Sequence, residues 1–272
     1  QFGVAGISSA KAVYSNPAYP DPARLAAINT ALTNSKNGYE TYAATGSNNG
    51  ACSVIDPFER GHGYRSTASY TPSLQQTASG AWVQILGGSD INTPMVQAYL
   101  RWLRNHYRWQ DLDNLRNFWS QTYWYFLWSS FKFTEFLEQA GIAPAAGNIG
   151  PDALGTLDTA AGVDATTGAY AACDVRQLNK DPATIPQPVA FGGAPAGVYT
   201  GEDEGVYFDY SSEIISKQCY DGSAPITGND GNFACNSAQS DWSDYSRQAY
   251  AILVLQRATG GACVDTDGDG VC

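Results

Sequence analysis

The stretch Tyr123-Trp124-Tyr125-Phe126-Leu127-Trp128 decides how this chain is built. Read as a helix, it has no polar face to offer water. A helix that is hydrophobic all round is buried all round. The pattern predicts a helix from about residue 115 to about Ala140, stopped by Gly141. Other helices must surround it, or it lines an enclosed cavity.

Working outward, the neighbouring segments also read as helices. Asp21-Pro22, Thr71-Pro72 and Thr93-Pro94 each set a capping side chain before a proline, the usual opening of a helix. They predict helices over 22–35, ended by Asn37-Gly38, over 72–86, ended by Gly87-Gly88, and over 94–109. The last carries Val96, Tyr99, Leu100, Leu103 and Tyr107 on one stripe. Helical signal returns over 206–218, with Tyr207, Tyr210, Ile214 and Ile215, and over about 241–258, with Trp242, Tyr245, Ile252 and Leu253. The predicted units are hairpins pairing 22–35 with 72–86, 94–109 with 115–140, and 206–218 with 241–258. In each, an amphipathic helix precedes a more apolar one, the signature of a helical repeat. Between about 142 and 202 periodicity gives way to Ala, Gly, Pro and Thr. That region is expected to be an irregular insertion with short strands, or a plain linker.

Composition narrows the setting. The net charge is −11 with 15% charged residues, which argues against a nucleic-acid partner, because phosphate neutralisation needs Lys and Arg. It argues equally against an anionic membrane surface. No stretch is long and apolar enough to span a bilayer. Gln1 is expected to have been exposed by cleavage of a leader. The six cysteines, Cys52, Cys173, Cys219, Cys235, Cys263 and Cys272, include no CxxC pair, and there are two histidines. Zinc ribbons and c-type haem are thereby excluded. An even, scattered set favours disulfides in an oxidising compartment, with connectivity open. Cys219 with Cys235 is the favoured local pair, closing a polar loop and contributing about 3 kcal/mol.

The tail, 261–272, carries the most specific motif. Asp265, Asp267 and Asp269 alternate, followed by Gly270 and bracketed by Cys263 and Cys272. Alternation lets the carboxylates converge on one hard cation, with the Val271 carbonyl as a backbone ligand. The run resembles the opening of a thrombospondin type 3 repeat. The resemblance implies calcium, with the remaining ligands expected from further chain or a neighbouring molecule.

A second resemblance covers about half the chain. Tyr207-Phe208-Asp209-Tyr210 through Gln218, then Asp230-Gly231-Asn232-Phe233, is similar to the Gln…Asp-Gly-x-aromatic turn of terpenoid cyclase and prenyltransferase repeats. Tyr245 to Gln256 and Phe118 to Ala140 resemble the inner helices of such repeats, in an exported bacterial form. The resemblance implies a partial α/α toroid, in which inner helices surround a cavity. The cyclase acid motif Asp-x-Asp-Asp is absent. The nearest string is Asp111-Leu112-Asp113-Asn114. No Asp-rich magnesium motif or zinc set is present either, so the family's activity does not carry over. An incomplete ring leaves apolar helices uncovered, which favours self-association.

Three side-chain groups deserve weighing as sites. The loop 56–65 concentrates Glu59, His62, Tyr64 and Arg65. A polysaccharide lyase or hydrolase would use such a set, with Arg65 or Arg60 neutralising a uronate, His62 or Tyr64 moving the proton and Glu59 orienting the base. A polar loop with an internal Glu–Arg pair explains the same residues more simply. Arg101, Arg104, Arg108 and Arg116 form a basic island that suits an anionic polymer, an acidic subunit, or simply solvent. Trp124 and Trp128, one turn apart, suit a glycan or flat apolar ligand, though such a pair is more often core. The reading is a mainly α, exported or cell-surface protein that self-assembles as a homo-oligomer or polymer, with calcium. The alternative is a carbohydrate-active or terpenoid-type enzyme working in the toroid cavity.

Overall fold

The computed structural model describes residues 1–44, 58–64, 72–105, 123–154, 181–188, 192–219, 233 and 244–256. Among them the chain is mainly helical: α1 Phe2–Ser15, α2 Pro22–Thr41, α3 Leu74–Leu86, α4 Pro94–Asn105, α5 Tyr123–Ala140, α6 Val206–Ser216 and α7 Asp244–Leu255. Short 3₁₀ turns stand at Pro151–Ala153 and Pro182–Thr184. No strand occurs among the described residues, only an isolated antiparallel bridge between Ala43 and His62.

The ends follow their local chemistry. Asp21 accepts from the Arg24 amide at 2.9 Å, and Pro22 opens α2. Gly141 closes α5 with a φ of 62°, a left-handed conformation that a Cβ disfavours. Two boundaries differ from the sequence reading. α3 begins at Leu74 rather than Pro72, because Ser73 caps it by accepting from the Gln76 amide at 3.3 Å. α2 runs through Asn37-Gly38 to Thr41. Tertiary bonds stitch that last stretch to its neighbours and override the local stop signal: Gln84 Nε2 donates to the Lys36 carbonyl at 3.1 Å, and the Tyr99 hydroxyl donates to the Tyr39 carbonyl at 3.2 Å. α1 has no counterpart in the sequence reading. It buries only Val4 completely and so shows a weak apolar stripe.

α3 and α5 form the most extensive helix contact. α3 also packs against α1, α2 and α4, while α5 packs against α6 and α7. The predicted pairing of 94–109 with 115–140 is not what forms among the described residues; α4 lies on α3 instead. Gly80 lies at this contact. A Cβ there would stand 3.0 Å from the Tyr99 ring and hydroxyl, so a side chain at this position would crowd Tyr99.

The core is one continuous cluster running from Leu32 and Trp82 through Tyr99, Phe126 and Phe131 to Tyr210 and Val254. The start of the long insertion is fastened to α4 and the turn before it. Gln97 Nε2 donates to the Ile91 and Ile149 carbonyls at 2.7 and 2.9 Å, and the Ile149 amide returns a bond to Gln97 Oε1 at 2.9 Å. Asn92 Oδ1 accepts from the Ala145 amide at 2.7 Å. Residues 142–150 are therefore bound structure and not a linker.

Candidate functional site

Segment 58–64 threads between α2, α3 and α4 on backbone bonds. The Ala44 amide donates to the Gly61 carbonyl at 2.8 Å, the Arg60 amide to Ala98 at 3.0 Å, and the His62 amide to Thr77 Oγ1 at 2.9 Å. Gly61 has no room for a side chain, since a Cβ would meet the Trp102 indole at 2.6 Å. The segment's ionisable groups point to different partners. Glu59 is buried and accepts from Asn105 Nδ2 at the end of α4. His62 is buried beside the Tyr39 ring at 4.8 Å and the Tyr99 ring at 6.5 Å. Its Nδ1 donates to the Gly63 carbonyl at 2.7 Å, because a carbonyl only accepts. That bond leaves Nε2 as a bare acceptor, buried without a hydrogen-bond partner. Burial lowers the His62 pKa, and the Gly63 bond opposes this only in part. The neutral ring follows. Tyr64 is 56% exposed. Glu59 and His62 thus have separate hydrogen-bond partners, Asn105 and Gly63. Arg65 lies outside the described residues.

The other predicted groups fare as follows. Arg101 donates to the Gly147 carbonyl at 2.6 Å, and Arg104 to Asn105 Oδ1 at 3.2 Å. Both are engaged within their own chain; Arg108 and Arg116 lie outside the described residues. Asp265, Asp267, Asp269 and Val271 lie outside as well, as do Cys52, Cys173, Cys235, Cys263 and Cys272. Among the described residues no group of carboxylates, thiols or imidazoles is arranged to hold a metal ion. Cys219 is buried and disulfide-bonded, and no described residue supplies its other half.

A denser constellation sits where α3, α5 and α7 face one another. The Trp82 ring of α3 meets Trp128 of α5 edge-on at 5.3 Å. Trp128 and Tyr125 of α5 meet Tyr250 of α7 at 5.4 and 5.9 Å. Phe2 of α1 stacks on Trp128 at 5.4 Å, its ring 19° from parallel. Tyr125 also reaches α3, its hydroxyl 3.1 Å from Ser79 Oγ, and burial raises its pKa. Trp124, paired with Trp128 by sequence spacing, instead meets Phe233 at 5.7 Å.

Lys132 belongs to the same face of α5, one turn beyond Trp128 and two beyond Tyr125. It is 2% exposed, and its ammonium has no hydrogen-bond partner. Burial pulls its pKa down to about 8, with Glu135 opposing. Neither Lys132 nor the convergence of Trp82 and Tyr250 on Trp128 was picked out from the sequence. The available signal was Lys132 set between Phe131 and Phe133, one turn after the apolar run 123–128, where its charge has little chance of reaching water.

Compared with protein-family models, curated proteins and solved structures, the chain finds no match.

Proposed function

We propose that this is an exported or cell-surface protein of structural or interaction type that self-assembles, with calcium bound at Asp265, Asp267, Asp269 and the Val271 carbonyl. The observation that carries the reading is an apolar stripe on α7. Tyr245 and Ile252, two turns apart on one side of that helix, are 87% and 44% exposed. An apolar stripe on a helix ordinarily faces a partner.

The finer architecture in this proposal is an open α/α arc. Its inner helices are α3, α5 and α7, in contact in that order, and its outer helices are α2, α4 and α6. α4 packs on α3 and α6 on α5, as when each outer helix wedges behind the preceding inner one. α7 is then the arc's open end, which is where the stripe falls. The net charge of −11 leaves nucleic acid an unsuitable partner. No described helix is long and apolar enough to cross a membrane. Export is supported by the disulfide at Cys219, with Cys235 the proposed partner.

Light-scattering mass of the full chain, with calcium and then with chelator, tests this. The expected result is an assembly in calcium that falls to smaller species on chelation, and that Tyr245→Glu prevents. A monomer under every condition overturns the reading. The second reading is a carbohydrate-active or terpenoid-type enzyme. It draws on His62, whose bare, buried Nε2 has the character of a general base.

A further inference from the structure

Three buried hydrogen-bond donors stand unmet on α3 and on the face of α5 turned to it. Trp82 Nε1, Trp128 Nε1 and Lys132 Nζ are all buried, and none has a hydrogen-bond partner. Their residues are 2%, 6% and 2% exposed. An indole N–H and an ammonium only donate. An unmet buried donor costs free energy, and an unpaired buried charge costs more. Helical side chains lean towards the N-terminus of their helix. Lys132 and Trp128 are four residues apart in α5, a spacing that sets both on the face of the helix that Trp82 meets edge-on.

The chain's own groups do not supply the missing acceptor. Glu135 raises the Lys132 pKa but makes no ion pair with it among the described residues; its carboxylate accepts from Gln139 Nε2 at 3.0 Å. The Gln1 amide makes no well-formed hydrogen bond; its influence falls on Tyr125, about 10 Å along the α5 axis from Lys132 at 1.5 Å per residue. The apolar half of the site is already sketched by Phe2. Its ring stacks flat on Trp128 while 56% of the residue remains in solvent. A loosely held ring in that position is what a flat ligand would displace.

We propose that this junction is a binding site for a small molecule with a flat apolar body and one anionic acceptor group. The body stacks on Trp128 in the place of the Phe2 ring, beside Tyr250. The anionic group takes the bonds that Lys132 and the two indoles now lack. The inference is independent of self-assembly and of calcium.

The test uses two probes of nearly one shape on the full chain. 1-Anilinonaphthalene-8-sulfonate carries the anion; N-phenyl-1-naphthylamine lacks it. Both brighten in apolar surroundings. Wild type is expected to bind the sulfonate saturably, one probe per chain. Lys132→Met is expected to weaken it about tenfold, the scale of a lost charged hydrogen bond, while the neutral probe changes less than about twofold. Trp82→Phe, which removes an N–H and keeps an aromatic ring, is expected to weaken the sulfonate about threefold. Lys132→Met retains the volume and sheds the charge, and near-ultraviolet dichroism verifies its fold. The proposal is overturned by non-saturable sulfonate binding to wild type. Equal sulfonate affinity in wild type and Lys132→Met, or equal loss of both probes, overturns it as well.

Discussion

The two ends of the bundle bury different kinds of polarity. Around α2, α3 and α4 the buried polar side chains are mostly neutral: Gln75, Thr77, Ser79, Gln84, Gln97 and Asn105. Several act as crossties between elements, as Gln84 does to Lys36 and Gln97 to Ile149. Around α5, α6 and α7 the buried set adds charged groups, Lys132, Glu135, Asp209, Glu213 and Arg247, to the hydroxyls of Ser129, Ser130, Thr134 and Ser211. Glu59 and His62 are the exceptions in the first half, and each is tied down, Glu59 by Asn105 and His62 by the Gly63 carbonyl. A neutral crosstie satisfies backbone groups at small desolvation cost. A buried charge costs several kcal/mol before any attraction offsets it. The first half is thus built for rigidity, whereas the second half gives up stability at Lys132.

The contrast can be broken by substitution. Gln97→Leu should cost most, about 3 kcal/mol in denaturant unfolding, because it strands the Ile91 and Ile149 carbonyls and the Ile149 amide. A loss below about 1 kcal/mol would mean that water replaces the crosstie. Lys132→Met should act in the opposite direction, raising stability at neutral pH by about 2 kcal/mol. A destabilised variant would show that the ammonium is satisfied after all.

The same residue gives a pH test. Its folded pKa of about 8 lies below the ordinary lysine value of 10.5. Between those values the unfolded chain binds more protons than the folded one, so stability rises with pH. The penalty is fully present below about pH 8 and is relieved by up to about 2 kcal/mol on approaching pH 10. Thermal unfolding of wild type from pH 7.5 to 10 should show this rise, and Lys132→Met should lack it. Gly61→Ala should cost between about 1 and 2 kcal/mol through its clash with Pro72 and Trp102. Asp21→Ala should cost about 1 kcal/mol, the value of a lost helix cap.

Local chemistry was readable wherever one residue decides the outcome. Pro22 opens α2, Pro94 opens α4, Gly87 caps α3, Gly141 ends α5 and Val206 starts α6. The mainly α class followed from these signals and from the all-round apolarity of α5. What could not be read depends on who meets whom. α4 is amphipathic wherever it packs, so its own pattern cannot name α3 over α5 as its neighbour. Gln97 and Asn92 look like ordinary surface residues until 142–150 lies over them. The loop 58–64 was rich in ionisable groups, but composition carries no direction, and Glu59 and His62 point to different partners. α1 stayed hidden because it meets α2, α3 and, through Phe2, α5 with mostly small residues and buries only Val4, which leaves little periodicity.

The fastening of residues 142–150 by Gln97 and Asn92 has a mechanical consequence. Pro151–Ala153 packs on α5 and Leu154 is in the core, so tension applied to the chain beyond Leu154 is shared between α5 and the hydrogen bonds that Gln97 and Asn92 make to 145–149. A pull on the insertion is therefore spread over two helices and not borne by either one alone.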